Sequence, residues 1–458
     1  GLGRAYELRG DYRQAQTVYQ EMLDLARMSG LPDLTCTALN RLGTLATHAY
    51  EFEAAAAWLN EAITVAEASG NKAALTQTEW SMAQLAYHTF DYPTTVRHSR
   101  QALALARELD NQALIAGSLN TLAYAEALLG QVKASQAHME EAKDRYATLG
   151  NQALEADCLT IIALTKIWQG QIESSIADAR TAYTTSREID NPWGQISSSA
   201  VLAFGLMDKG DYEEALAIAQ QGRQQAQAHD LVLVSFLNLL ILGMVHQALM
   251  APAAARSAHL EAAVLSDKAQ SESFAGMSAA QLCADCALAG DWEEATMYAR
   301  EALSYRKYDV MPLVLSQCWP ETEALLRGGD LELAREDARR WGELVGHIPR
   351  YRLPHLRSLA LLARWDGDTQ QAIAYLQEAL SIAEQIGLPG EQWQILAKLG
   401  ALYRAGNDEK KARSAFEGAG NIVQALAARI DDEDLRTGFL AAESVQLIMA
   451  NRGDTSVL

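Results

Sequence analysis

Residues 210–221 read GDYEEALAIAQQ, and from Gly290 the chain reads GDWEEATMYARE. Residues 10–15 already read GDYRQA. These returns fall at multiples of forty residues, and laying the sequence out in rows of forty exposes the rest of the pattern. One column holds Leu2, Leu42, Met82, Leu122, Ile162, Leu202, Leu242 and Leu282, all aliphatic. The next holds Gly3, Gly43, Ala83, Ala123, Ala163, Ala203, Gly243 and Cys283, all small. Twelve residues further on stand Ala15, Ala55, Thr95, Ser135, Ser175, Ala215, Ala255 and Ala295. Seven beyond those stand Ala62, Ala102, Ala142, Ala182, Gly222, Ala262 and Ala302.

Two packed helices per row account for these columns. A large aliphatic side chain beside a small one makes a knob next to a hole on the first helix. The small residue on the second helix lets the two backbones approach. A glycine between them (Gly10, Gly130, Gly170, Gly210, Gly290) suits the left-handed residue that ends the first helix. Asp11, Asp211 and Asp291 are good N-caps for the second. Each row closes on SGNKAA at Ser69, LDNQAL at Leu109, LGNQAL at Leu149 or IDNPWG at Ile189, so an asparagine starts the next row.

Later rows drift. Gly329-Asp330 with Ala334, and Gly367-Asp368 with Ala372 and Ala379, keep the offsets, and Gly406-Asn407 with Ala412 carries one extra residue. The count reaches about eleven units, the first truncated. Pro320 falls inside an expected first helix and predicts an irregular joint there. The expected organisation is a first array over 1–310, further repeats over 311–430, one amphipathic capping helix over 431–450, and a disordered tail over 451–458.

The columns resemble the tetratricopeptide repeat, in a forty-residue variant similar to the C-terminal arrays of large bacterial signalling ATPases and MalT-like activators. The resemblance implies an all-α, right-handed α-solenoid of helix-turn-helix repeats. It also implies a non-catalytic interaction scaffold that serves as the regulatory C-terminal part of a larger signalling ATPase. A small-molecule sensor of the MalT-like kind is the alternative. The closing DEDLRTGFLAAESVQLIMA is similar to the end of such arrays. The chain opens on Gly1 inside a helical pattern, the expectation for a piece of something longer.

Composition agrees with long helices. Apolar residues make up 49% of the 458, and only nine are proline. The formal net charge of −20 repels phosphate backbones, so nucleic acid is excluded as a partner of the whole. Five cysteines at irregular spacing (36, 158, 283, 286, 318) read as free thiols in a reducing, cytoplasmic setting. The run LVLVSFLNLLILGMVHQALM from Leu231 is broken by Ser235, Asn238, His246 and Gln247 and sits in repeat register, which excludes a membrane span.

Signals for chemistry are sparse. The phosphate-loop, nucleophile-elbow and HExxH patterns are absent, and no enzyme, cofactor or metal is expected. Cys283-Ala-Asp-Cys286 lacks a second pair, and Cys283 occupies the small column, so both read as packed residues. His48 and His88, like His98 and His138, lie one repeat apart. At a helix spacing of roughly 10 Å they are too far apart to share a metal. A basic island at Arg339, Arg340, Arg350, Arg352 and Arg357 is a candidate anion-binding patch.

In the family, the inner surface takes residues two before and two after the aliphatic column. Here these include Asn40, Trp80, Asn120, Leu240 and, after the column, Gln84, Tyr124, Leu164, Phe204 and Met244. They are the candidate partner-binding residues, for a protein or peptide, another domain of the same protein, or a second copy of the chain. No Lys or Arg accompanies Asn40 and Asn120, so the subtype that clamps a terminal carboxylate is excluded. An apolar middle, near 231–247, is either covered by the superhelix itself or by a partner.

Overall fold

The computed structural model describes residues 1–9, 11–49, 51–229, 231–306 and 318–451. Among these residues every regular element is a helix. The chain divides into two compact units, Gly1–Cys158 and Leu159–Leu458. The first helices of successive pairs begin at residues 32, 72, 112, 152, 192, 232 and 272, the forty-residue step of the sequence.

The first unit holds α1 (Leu2–Leu8), α2 (Tyr12–Met28), α3 (Pro32–His48), α4 (Phe52–Ser69), α5 (Lys72–His88), α6 (Tyr92–Glu108), α7 (Gln112–Leu128), α8 (Val132–Thr148) and the start of α9 (Gln152–Trp168). Its caps are those the sequence advertises. Asp11 accepts from the Gln14 N–H at 3.2 Å, Asn71 from Ala74 at 2.9 Å and Asn111 from Leu114 at 3.1 Å, each worth about 1 kcal/mol. Gly70 supplies the left-handed turn before Asn71, with φ +65°. The knob-and-hole reading is literal at Gly43. A Cβ there would lie 2.6 Å from Leu59 Cγ, so glycine leaves the hole that the Leu59 side chain of α4 fills against α3. Successive first helices (α3 with α5, α5 with α7) pack on one another, and no comparable contact joins α4 to α6. That asymmetry curves the unit with its first helices on the inner side.

The second unit continues with α10 (Ile172–Glu188), α11 (Pro192–Lys209), α12 (Tyr212–His229), α13 (Val232–Ala248), α14 (Pro252–Ala269), α15 (Glu272–Ala289) and α16 (Trp292–Tyr305). Then come α17 (Trp319–Arg327), α18 (Leu331–Val345), α19 (Pro349–Trp365), α20 (Thr369–Ile386), α21 (Pro389–Ala405) and α22 (Glu409–Ala427). Pro320 sits in the first turn of α17, which runs only nine residues. The division expected at 310/311 falls in 307–317, outside the described residues, as does the tail from 452 on.

The closing segment departs from expectation. It forms two helices, α23 (Glu433–Ala441) and α24 (Glu443–Asn451), parted by extended backbone at Ala442 (φ −59°, ψ 136°). The break lets each half bury its apolar residues in a different place. Phe439 is fully buried with its ring centroid 6.1 Å from Tyr212 on α12, while α24 packs on α22.

The second unit also clasps itself across long stretches of chain. Arg350 donates Nε to Asp208 Oδ2 at 2.9 Å and Nη2 to Oδ1 at 3.1 Å, both residues buried. Glu391 lies 3.5 Å from Arg350 and 2.5 Å from Arg357. Trp168 meets Tyr351 at 6.1 Å between centroids. A Cβ on Gly170 would lie 2.7 Å from Ile386 Cγ1. Arg429 pairs with Asp211 and donates to the Lys209 carbonyl at 3.0 Å, and the Asp431 N–H donates to Glu213 at 2.6 Å. Helices α9 to α12 are thus tied to α19 to α23.

Candidate functional site

The inner face of the first unit is built on α3, α5 and α7. Asn40 is buried, and its amide donates to the Cys36 carbonyl at 3.1 Å and to Thr78 Oγ1 at 2.8 Å. It locks the seam between α3 and α5 and presents little surface. Trp80 is half-buried. Its indole lies over Gly117, where a Cβ would be 3.1 Å away, and its N–H donates to Thr121 Oγ1 at 3.2 Å. Gln84, Asn120 and Tyr124 are half-buried too, and Asn120 Oδ1 has no hydrogen-bond partner.

Rings join these residues into a strip. Tyr124 lies 5.8 Å from Tyr87, Tyr87 lies 5.7 Å from His88, and His88 lies 6.2 Å from His48, all edge to face. The two histidines are nearer than the sequence spacing suggested, because their rings lean toward each other from the ends of α3 and α5. Burial lowers the pKa of both, so they are neutral near pH 7. Burial pushes the Tyr87 hydroxyl up to about 12 and raises Tyr124 well above its usual value, so both remain donors. Asp157 adds an unpartnered buried oxygen and a pKa raised by burial to about 6.

Tyr87 and Asp157 were missed from sequence, and His88 was read there only as one of a histidine pair too far apart to share a metal. Tyr87 and His88 stand five and six residues after the aliphatic Met82, one helical turn beyond the offsets that were read. His98 and His138 serve structure instead. Each Nδ1 pairs with a glutamate, Glu79 at 2.6 Å and Glu126 at 2.7 Å. Among the described residues no group of three His, Cys, Asp or Glu is placed to hold a metal. All five cysteines are free and buried.

In the second unit Leu164 is half-buried, but Phe204, Leu240 and Met244 are at most 1% exposed. The protein itself covers this apolar wall. No helix among the described residues is long and apolar enough to cross a membrane.

The basic island is not a free anion site, because carboxylates of the same unit occupy it. Arg350 and Arg357 are buried against Asp208 and Glu391. Arg352 pairs with Glu378, Arg339 with Glu336 and Glu343, and Arg340 reaches Glu336 at 4.0 Å. The sequence window around the island did not contain Asp208, Glu378 or Glu391.

A family model of the tetratricopeptide repeat matches residues 351–422. Among solved structures, a Rap protein complexed with competence and sporulation factor is 14% identical with a TM-score of 0.52, covering 86% of this chain and 99% of that one. The Cut9 and Hcn1 hetero-tetramer of APC/C is 15% identical with a TM-score of 0.54, covering 98% of this chain and 88% of that one. These likenesses establish the fold, an all-α array of tetratricopeptide-like helix pairs. No curated protein matches the chain.

Proposed function

We propose that this chain is a non-catalytic protein-interaction scaffold that takes a segment of a partner protein along the inner face of its first unit. The observation that carries the reading is the strip of half-buried side chains at Trp80, Gln84, Tyr87, His88 and Tyr124. Aromatic residues backed by a rigid wall dominate the energetics of protein interfaces. The structural neighbours cited above were solved with a bound factor or a partner chain, and the same use of the fold is proposed here. The role as regulatory part of a signalling ATPase rests on the forty-residue period and the closing segment.

The test is a peptide-phage selection against the full chain, followed by calorimetric titration of the selected peptides. Trp80→Ala and Tyr124→Ala are each expected to weaken binding about tenfold or more. Gln84→Ala, which leaves the packing intact, is expected to weaken it less. Selected peptides that bind the Trp80→Ala/Tyr124→Ala double variant as tightly as the parent would refute the assignment.

A further inference from the structure

Two cations of the second unit, one on α19 and one on α21, lie outside its ion pairs. Arg364 on α19 and Lys398 on α21 are exposed, and neither side chain makes a hydrogen bond or ion pair among the described residues. They do not stand alone. Arg327 and Arg357 lie close enough to act on Lys398, and so does one carboxylate, Glu323. Arg327 is held by Glu323 at 2.8 Å, and Arg357 by Glu391 at 2.5 Å. Four cations therefore share two carboxylates, in a chain whose net charge is −20. Lys398 touches solvent, yet protein surrounds it closely enough to hold its pKa below the ordinary lysine value, with the three arginines acting in the same direction. Directly after Arg364 comes Trp365, a large aromatic side chain that is 53% exposed.

We infer that the face of α19 and α21 around Arg364, Trp365 and Lys398 is a docking surface for an acidic protein segment. Such a segment would pair two of its side-chain carboxylates with the free guanidinium and ammonium and lay an adjoining residue against the indole. Charge complementarity selects the occupant. Excess positive charge inside an acidic protein is uncompensated until carboxylates arrive, and arginine clusters with tryptophan are what acidic peptides meet at interfaces. The surface lies in the second unit and does not depend on the first-unit reading.

The probe is a fluorescein-labelled hexaglutamate peptide, titrated by anisotropy at low ionic strength. Lys398→Glu with Arg364→Glu is expected to weaken binding about tenfold or more, and Trp365→Ala severalfold. Lys410→Glu, an exposed change of the same charge on α22, is expected to leave affinity unchanged. The inference is overturned by any of three results: no saturable hexaglutamate binding, equal loss in Lys410→Glu, or tighter binding of a labelled hexauridylate than of hexaglutamate.

Discussion

Removing Arg350 should open the clasp of the second unit, and it should do so more severely than removing its partner. Asp208 is buried, and among the described residues its only ionic partner is Arg350. Burial already holds its pKa above the ordinary carboxylate value despite the guanidinium. Arg350→Met leaves that carboxyl in a low-dielectric seam with no cation, a loss of about 3–5 kcal/mol. Asp208→Asn differs in kind. The amide keeps a hydrogen-bond acceptor for Arg350, and Glu391 remains 3.5 Å away as a second counter-charge, so the loss is about 1–3 kcal/mol. The double variant leaves no unpaired charge at this point and should resemble Asp208→Asn more than the sum of the two changes.

Global unfolding is a poor readout for a long repeat array, whose transitions need not be two-state. Amide hydrogen exchange of α11 and α19 reports the clasp directly. A local loss of about 3 kcal/mol accelerates exchange by about two orders of magnitude in the helices that depend on the pair. Amides of α4 and α6, in the other unit, should be unaffected. Equal effects of Arg350→Met and Asp208→Asn, or unchanged protection of α11 and α19 in Arg350→Met, would refute the reasoning.

Two further outcomes follow from single residues. Asp157 has a folded pKa raised by burial to about 6. The folded state therefore binds the extra proton between roughly pH 4 and 6, and stability falls as pH rises through that window by about 2–3 kcal/mol. Asp157→Asn should flatten that dependence and strengthen protection of the α7 and α9 amides at pH 8, measured by hydrogen exchange at pH 5 and 8 with intrinsic rates corrected for pH. At Gly243 a Cβ would lie 2.1 Å from Nε2 of His259, a fully buried ring held by Asp285 at 2.6 Å and the Leu240 carbonyl at 3.1 Å. Gly243→Ala should cost about 1–3 kcal/mol or more by overpacking. Gly438→Ala, where nothing lies within 4 Å, should instead stabilise α23 by up to about 1 kcal/mol, read as slower amide exchange in that helix.

The helix pairs were legible because a repeat writes the same packing problem many times. Gly43 and Ala55 are small for one local reason, the approach of α4 to α3, and that reason recurs every forty residues. Asparagine caps such as Asn71 and Asn111 are local too. The inner face was half legible. The offsets from the aliphatic column pointed to Trp80 and Tyr124, yet the same rule named Phe204 and Leu240, which are sealed. Arg350 shows why the remainder was hidden. Its partner lies 142 residues earlier in the chain, and no periodicity relates the two. A window on the basic island contained the cations and none of the distant carboxylates that neutralise them. Lys398 was overlooked for the converse reason, since its lack of a partner is a property of three helices together.

Whether an inner wall stays available is decided by the bulk of the side chains that separate successive first helices. On α11 the run Ser197, Ser198, Ser199, Ala200 with Ala203 is small. α13 packs on α11 closely enough for the Asn238 amide to reach Ser199 Oγ at 3.3 Å. Phe204, Leu240 and Met244 vanish into that seam. On α5 and α7 the corresponding stations carry Trp80, Gln84 and Tyr124, which fill the space between helices and stay half-buried. The indole N–H and the tyrosine hydroxyls need polar partners, and the amides need more than one. A wall of such residues keeps one edge in water and so keeps contact area for a partner. A purely apolar wall gains more by closing, because exposed, it would favour association with any apolar surface. One repeat therefore yields two different units, and the difference follows from a handful of inner positions rather than from the columns that set the fold.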